Sequence, residues 1–593
     1  MNKTKKYVTS LALLAGTTAF WGCKPEKTEA LSNRLPQDVC ISCVLDSSDF
    51  SNWFVGDSVT ENGIVTPANS VGFVSDTNCN FYRWAEQMFL WVTSPVTSGK
   101  YVAGNTVMES PVFYTVQPDT TNNGSQNRVL VQNLAGDTLR AVPQMKKSGP
   151  NRLPVVFGKD NKMYEVETPG TANGMVSVKN AGNKVVPVHH VEKGSDGTYT
   201  FFDGKNQPIE KPTAMITHTH HKERILHSFA TTTGGSISLD MFGNLIETET
   251  GQATQDVLVA KNGSVVYYIL FVNDVYAYYQ SGAVNGALSR DSFPTTPAGQ
   301  SAVCNYARSF GATLPDSNAS AMELKTSWVE AIDLPYPESY IYTYAIVPVY
   351  KKVQGQAWVL SGSRLAKLAL LGAHVVGSVA HHPEMVWATF EHQDNAPNAA
   401  YQYLDTKRNV KTVPQDTGKN WVLSADASYT NFNFSHQHWS NVGGDTIYGA
   451  TDALTPSNIL RTMPWGSAMD SATNGEDKSS AASNSEIISI NNQVYNMLKG
   501  NDVRKNYQLI GATWTFGGAA PNGSSYGYQT ENGVAIGTNV CANSTMETFF
   551  QSPSQSCFTC HSNNNSLKPD SLSHIFSNII PIKLATAPKS LKK

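Results

Sequence analysis

Residues 256–274 read DVLVAKNGSVVYYILFVND. Two runs rich in valine, tyrosine, isoleucine and phenylalanine flank Asn262-Gly263. Such side chains suit a pleated, half-buried surface, and Asn-Gly favours the left-handed backbone of a two-residue type I′ turn. The stretch predicts a β-hairpin and sets the reading of the chain around it. VVFGKDNKMYEVE (155–167) and TYTFFDGKNQPIE (198–210) repeat the pattern, with turns expected at Asp160-Asn161 and Asp203-Gly204. Helical spacing is rarer. NFYRWAEQMFLWV (80–92) aligns Phe81, Trp84, Met88 and Trp91. SEIISINNQVYNMLKG (485–500) aligns Ile487, Ile490, Val494 and Leu498 between a Ser485 cap and Gly500 at C′. STMETFFQ (544–551) predicts a third, short helix. The fold class is therefore β-rich α+β: a large body of antiparallel strands, a few helices, and a C-terminal helical segment bearing SCFTCHS (556–562).

The 593 residues suffice for two to four domains. A net charge of −3 with only 15% charged residues gives no basic face for nucleic acid. The start, MNKTKKYVTSLALLAGTTAFWGC, places Lys3, Lys5 and Lys6 before an apolar run from Tyr7 to Trp21, the pattern of a signal peptide over residues 1–23. Gly22-Cys23 resembles a bacterial lipoprotein cleavage site, at which Cys23 becomes lipidated. Phe20 and Trp21 depart from the smaller or aliphatic residues usual there, so cleavage near Ala19 is the alternative. Residues 24–39 then form a polar tether. The expected location is the periplasmic or cell-surface side of a bacterial membrane, held through the lipid. LAKLALLGAHVVGSVA (365–380) comes nearest to a membrane span, but it is short and carries Lys367 and His374. The expected division is a β-rich body of one or two domains over 40–465, a polar linker over 466–485, a C-terminal region over 486–581 docked on the body, and a basic tail over 582–593.

Within CFTCH, Cys557 and Cys560 are three apart and His561 follows. Covalent haem attachment needs this pattern: two sulfurs one helical turn apart reach two vinyl groups of one haem, and the next imidazole ligates the iron. Export suits such a link, because a thioether does not dissociate. A Cys557–Cys560 disulfide is the first alternative, but it does not need His561. A zinc site from Cys557, Cys560, His561 and His574 is the second, although adjacent Cys560 and His561 are awkward ligands for one tetrahedral ion. Only 32 residues follow His561 and none is methionine. The motif is thus expected as an appendage on a larger body, its sixth iron ligand absent, His574, or a body residue such as His392. Glu391 and Asp394 flank His392 and suit it for fixing a tautomer.

Four stretches resemble segments of a group of large exported bacterial cytochrome-c-like proteins of unassigned reaction: NFYRWAEQMFLWVTSP (80–95), VLVAKNGSVVYYILFVND (257–274), LLGAHVVGSVAHHPEMVWATFEHQDNAP (370–397) and NVCANSTMETFFQSPSQSCFTCH (539–561). A WATFEH segment and an N-x-T-x-E-T element before a single late CxxCH are the most specific parts. The resemblance covers about half the chain. It implies one haem c at Cys557, Cys560 and His561 and electron transfer, but no substrate; residues 97–250 match nothing in it.

His374, His381 and His382 share the neighbourhood of His392 and are either distal ligands or hydrogen-bonded structural histidines. His218, His220, His221 and His227 in THTHHKERILH read as a solvated His-rich strand or loop, and His436 and His438 share their i, i+2 ambiguity. GSSYG (523–527) matches a nucleophile pattern at Ser525 without the strand-to-helix elbow it requires. Of eight cysteines, haem takes Cys557 and Cys560 and lipid takes Cys23. Cys40, Cys43, Cys79, Cys304 and Cys541 remain, an odd set; an unlipidated, retained Cys23 makes it even. CISC (40–43) lacks a following histidine, and a disulfide from it to Cys79 is expected. The favoured function is an exported monohaem c-type cytochrome passing single electrons to or from a periplasmic redox partner. The rivals are a haem oxygenase-type or peroxidase-type oxidoreductase with open iron, and a non-redox binding lipoprotein.

Overall fold

The structure is a computed structural model. It describes residues 33–96, 101, 104–119, 127–134, 138–143, 155–157, 163–167, 177–193, 199–210, 215–216, 225–230, 236–239, 257–353, 357–418, 420–424, 432–433, 436–440, 446–449, 452–466, 480–522, 531–538, 540–548, 551, 556–561 and 565–583. The signal segment with Cys23, His218, His220, His221, Ser525, the Asp160-Asn161 turn and most of the linker and basic tail lie outside these residues.

The fold is β-rich α+β, organised by one 12-stranded sheet. Its main path uses β1 (Phe113–Pro118), β2 (Arg128–Gln132), β3 (Tyr267–Asn273), β4 (Met322–Glu330), β6 (Ala357–Val379), β7 (His382–His392), β8 (Tyr507–Thr515) and β9 (Ala535–Gly537). The order is β2-β1-β3-β4-β6-β7-β8-β9, and every neighbouring pair is antiparallel. β5 (Tyr342–Lys352) pairs with the first half of β6. The apolar run 365–380 lies almost wholly in β6, a 23-residue strand. Among the described residues no helix is long and apolar enough to cross a membrane.

Side-chain alternation separates the sheet's two faces. Val386, Ala388 and Phe390 of β7 join the largest core, while Met385 and Trp387 join a second one. The first face packs on α1 (Asn78–Val92), whose Phe81, Trp84, Met88 and Trp91 are all buried as the spacing predicts. Phe89 stacks on Phe390 at 4.2 Å and Phe81 on Trp514 at 3.8 Å. α3 (Ser480–Met497) packs on the same face. The second face packs on α2 (Asp274–Val284) and on Phe558, Leu572, Ile575, Phe576 and Ile579 near the C-terminus. A Cys43–Cys79 disulfide ties the start of the body to α1, as expected for CISC.

Several local expectations need correction. The turn at Asn262-Gly263 is not type I′: the Gly263 N–H donates to the Ala260 carbonyl and only Gly263 is left-handed, at φ +83°. That is a three-residue loop with glycine at its bulge position, and the first apolar run contributes one bridge, Val259 to Val265, before β3. Ser485 does not cap α3. It lies inside the helix, buried, donating to the Ala481 carbonyl and accepting from the Leu404 N–H. Residues 544–548 form turns rather than a helix, because their side chains bind the sheet. β8 and β9, which follow residues 466–485 in the chain, belong to the main sheet.

Glu86 of α1 is 3% exposed, and burial raises its carboxyl to about 8. Between about 4.5 and 8 the folded state binds a proton that the unfolded state releases, so Glu86 makes stability fall with rising pH in that window. Glu86→Gln should gain on the wild type by up to about 1.4 kcal/mol per pH unit there. Denaturant midpoints from pH 5 to 8 check this, and parallel curves would refute it.

Candidate functional site

Every second residue of WATFEH holds the C-terminal segment. Trp387, Thr389 and Glu391 of β7 point to the second face. Glu391, fully buried, accepts the Ser544 N–H at 2.7 Å and also the Ser544 hydroxyl. Arg461 donates to the same carboxylate through Nε at 3.1 Å and Nη2 at 2.9 Å. Thr389 Oγ1 accepts Asn543 Nδ2 at 2.9 Å. A side chain on Gly372 of β6 would collide with Asn543, its Cβ lying 2.7 Å from Nδ2.

The other members of the N-x-T-x-E-T element act the same way. The Thr545 hydroxyl bonds Ser327 of β4 at 2.6 Å, and its carbonyl accepts the Tyr268 hydroxyl of β3 at 2.6 Å. Glu547 takes the His374 Nε2 of β6 at 2.9 Å and the Asn543 N–H at 3.1 Å. Four neighbouring strands therefore grip residues 543–547, each bond contributing about 1 kcal/mol net and more where charge is involved. Met546 is buried in a third apolar cluster with Tyr268 and Leu371.

The attachment motif sits beyond this grip. Cys557–Cys560 form one helical turn, α4, and the His561 N–H donates to the Cys557 carbonyl at 3.0 Å. Phe558 is fully buried beneath the turn, edge-on to Trp387 at 6.0 Å. The His561 ring packs on Trp387 at 4.2 Å and stacks on His574 at 4.1 Å, with 18° between the two imidazoles. His561 Nδ1 lies 2.7 Å from the Leu572 carbonyl. A carbonyl only accepts, so Nδ1 carries a proton; in the neutral form of the ring Nε2 is then the acceptor nitrogen, the form in which imidazole binds metal.

The chain after His561 is fixed against α2. Gln280 Nε2 donates to the Phe576 and Ile579 carbonyls at 3.1 and 2.9 Å. The Tyr276 hydroxyl bonds Ser573 at 3.0 Å. Arg290 grips Asp570 through Nε at 3.0 Å and Nη2 at 2.7 Å.

Cys541 completes the constellation. Interaction with Cys541, together with burial, pushes the Cys557 thiol well above its ordinary value. Cys541 in turn donates to the Trp387 carbonyl at 3.7 Å.

The residues fit covalently held haem on the attachment side. Aromatic rings packed on an imidazole cover its faces, whereas a metal bonds in the ring plane along the Nε2 lone pair, so Trp387 and His574 set the orientation of His561 without taking the metal's direction. Among the described residues no group of three or more His, Cys, Asp or Glu side chains is arranged to hold a metal ion; a haem iron does not need one, because four of its ligands are porphyrin nitrogens.

The two candidate sixth ligands, His574 and His392, sit in different surroundings. His574 is stacked face to face with His561. His392 lies five residues beyond Trp387, about 17 Å along the strand, with the alternation of Ala388 and Phe390. It is fully buried, stacks on Tyr340 at 3.9 Å, bonds Ser339 Oγ through Nε2 at 3.1 Å and accepts the Asp394 N–H through Nδ1 at 3.2 Å. Burial lowers its pKa to about 3, so the ring is neutral. At the opposite end of β7, His382 bonds Glu384 at 2.7 Å.

The sequence reading singled out Cys557, Cys560, His561 and His574 and missed Trp387, Cys541 and the Leu572 carbonyl as their partners. The period-two spacing of Trp387, Thr389 and Glu391 was the available signal for a strand with one functional face. No family model, no curated protein and no solved structure matches the chain.

Proposed function

We propose that the chain is an exported monohaem c-type cytochrome that carries single electrons, anchored to the membrane through lipid on Cys23 and exchanging electrons with a periplasmic redox protein. The observation that carries this reading is His561 at the end of the Cys557–Cys560 turn, its Nδ1 proton held by the Leu572 carbonyl. The resemblance through WATFEH and the late CxxCH points the same way. When bound, haem supplies the Fe(II)/Fe(III) couple. The chain supplies the rest: Cys557 and Cys560 tether, His561 presents Nε2, Leu572 keeps the proton at Nδ1, and Trp387 and Phe558 exclude water from the buried side. The grip of four strands on residues 543–547 limits reorganisation of the segment. Maturation with a c-type haem-attachment system should give a chain that keeps haem after denaturation, and Cys557→Ala with Cys560→Ala should keep none. Wild type without retained haem refutes the reading.

A second reading rests on one observation: His392 spends both ring nitrogens inside the body and His574 lies beside His561. Without a histidine opposite His561 the iron is open to small ligands, and the chain is a haem-dependent oxidoreductase of oxygenase or peroxidase type. The visible spectrum of the loaded protein separates the two. Low-spin iron that turns high-spin in His574→Ala or His392→Ala supports the carrier and names the ligand; high-spin iron in the wild type supports the enzyme.

A further inference from the structure

We propose that the cleft between β1, β2 and the β5–β6 pair binds a neutral saccharide, one sugar ring lying against Tyr344 with its hydroxyls donating to the side-chain oxygens of Gln117, Gln132 and Asn133. The proposal does not rest on the haem reading. β1 contributes Gln117 to the cleft, β2 Gln132, β5 Tyr344 and β6 Leu365, and Glu109 and Asn133 come from the segments flanking β1 and β2. The cavity measures about 320 Å³, at the small end of ligand pockets, which run from roughly 300 to 1,000 Å³.

Its hydrogen-bonding capacity is one-sided. Gln132 Nε2 donates to the Pro111 carbonyl at 2.9 Å, and Asn133 Nδ2 donates to the Met108 carbonyl at 2.9 Å. A carbonyl only accepts, so these bonds fix which end of each amide is oxygen. Gln117 Nε2 donates to Thr115 Oγ1 at 2.9 Å, and Thr115 spends its own proton on the Val131 carbonyl at 3.3 Å. The donors of all three amides are thus engaged within the protein. No hydrogen bond from the described residues reaches their side-chain oxygens. Asn133 is only 5% exposed, so its oxygen has little but the cleft to turn to. A ligand that satisfies this lining must bring donors.

Charge narrows the ligand further. Among the described residues that line the cleft there is no lysine, arginine or histidine to meet a phosphate or carboxylate. Glu109 is the one acid among them. It is buried and already accepts the Asn105 N–H at 3.1 Å and the Thr106 hydroxyl at 3.3 Å. Burial raises its carboxyl above the ordinary value, which disfavours the charge that an ammonium ligand would need. An uncharged ligand rich in O–H groups is what remains. The rim supplies the shape. Tyr344 and Leu365 are 53% and 59% exposed. Tyr344 pairs with Lys367 and Ile346 with Leu365, so Tyr344 and Leu365 are diagonal neighbours on one face. A pyranose has an apolar C–H face and a perimeter of hydroxyls, and it matches an exposed aromatic ring beside a set of acceptors.

The test titrates the full chain with maltotriose, cellotriose, xylotriose, mannotriose and chitotriose by calorimetry, each up to about 10 mM, where even a millimolar complex is mostly formed. At least one should bind and should slow amide exchange of the wild type in the peptides that contain Gln117, Gln132 and Tyr344. Tyr344→Ala should weaken binding about tenfold, and Tyr344→Phe should bind nearly as well as the wild type, because the ring face and not the hydroxyl makes the contact. Gln117→Ala should weaken binding with an unchanged thermal midpoint, since its side chain bonds only Thr115. Binding of none of these sugars overturns the proposal. So does binding that Tyr344→Ala and Gln117→Ala leave undiminished, or slowed exchange that avoids the cleft. The exchange map is made on the wild type, so it decides the site even where a variant fails to fold.

Discussion

Arg461→Ala should destabilise the fold by about 3–5 kcal/mol, the cost of leaving one partner of a buried ion pair without the other. Arg461 is 6% exposed at its side chain and Glu391 is fully enclosed. The guanidinium also donates to the Ala396 carbonyl at 2.7 Å and to Asn398 Oδ1 at 3.1 Å, so the substitution removes several donors from a water-poor site. Glu391 would keep Ser544 as its remaining strong donor and would be driven toward the protonated form. The loss should therefore be largest at neutral pH and smaller under acid, where the carboxyl can take a proton. Replacing both partners, Glu391→Met with Arg461→Met, should recover much of the stability, since no uncompensated charge is then buried. Urea midpoints of the three variants measure this. A change below about 1 kcal/mol for Arg461→Ala would show that the pair is solvated, as surface pairs are.

Trp387→Ala should cost about 3–5 kcal/mol and should act selectively. The ring is 7% exposed and packs on His561 and Phe558, while its indole N–H donates to the Glu384 carbonyl at 2.9 Å. Removing it opens a cavity beneath the attachment turn. The backbone that binds Cys541 and the neighbours Thr389 and Glu391 stay in place. Amide hydrogen exchange should speed up across residues 556–579 and stay nearly unchanged in α1, which packs on the opposite face. Trp387→Phe should retain part of the packing and show a smaller effect. Equal loosening of both faces would mean that Trp387 supports the sheet as a whole rather than the turn.

The elements legible in the sequence were those whose pattern is local. The β-branched and aromatic run after Asn262-Gly263 located β3, and the 3.6-residue spacing of Phe81, Trp84, Met88 and Trp91 located α1. The motif Cys557, Cys560, His561 announces its own geometry because one helical turn defines it. Errors arose where distant residues decide. Ser485 resembles a cap locally, but a hydrogen bond from Leu404, 81 positions away, belongs to a helix that starts earlier. STMETFFQ has helical composition, yet Thr545 and Glu547 spend their side chains on Ser327 and His374 instead. Glu391 and Asp394 flank His392 in sequence, and their ion pairs with Arg461 and Arg34 are likewise long-range. The bond from His561 to the Leu572 carbonyl is a tertiary fact without a local signature.

The central claim is that the turn seated on WATFEH carries one haem through Cys557 and Cys560. Mass spectrometry of the purified, matured chain after trypsin tests it most directly, since cleavage after Lys505 and Lys583 releases a single fragment that contains both cysteines, the Lys568-Pro569 bond being resistant. The account predicts that this fragment is heavier by one haem, with thioethers at Cys557 and Cys560 and none at Cys40 or Cys43. A fragment of unmodified mass, its two motif cysteines alkylated as free thiols or joined in a disulfide, would contradict it.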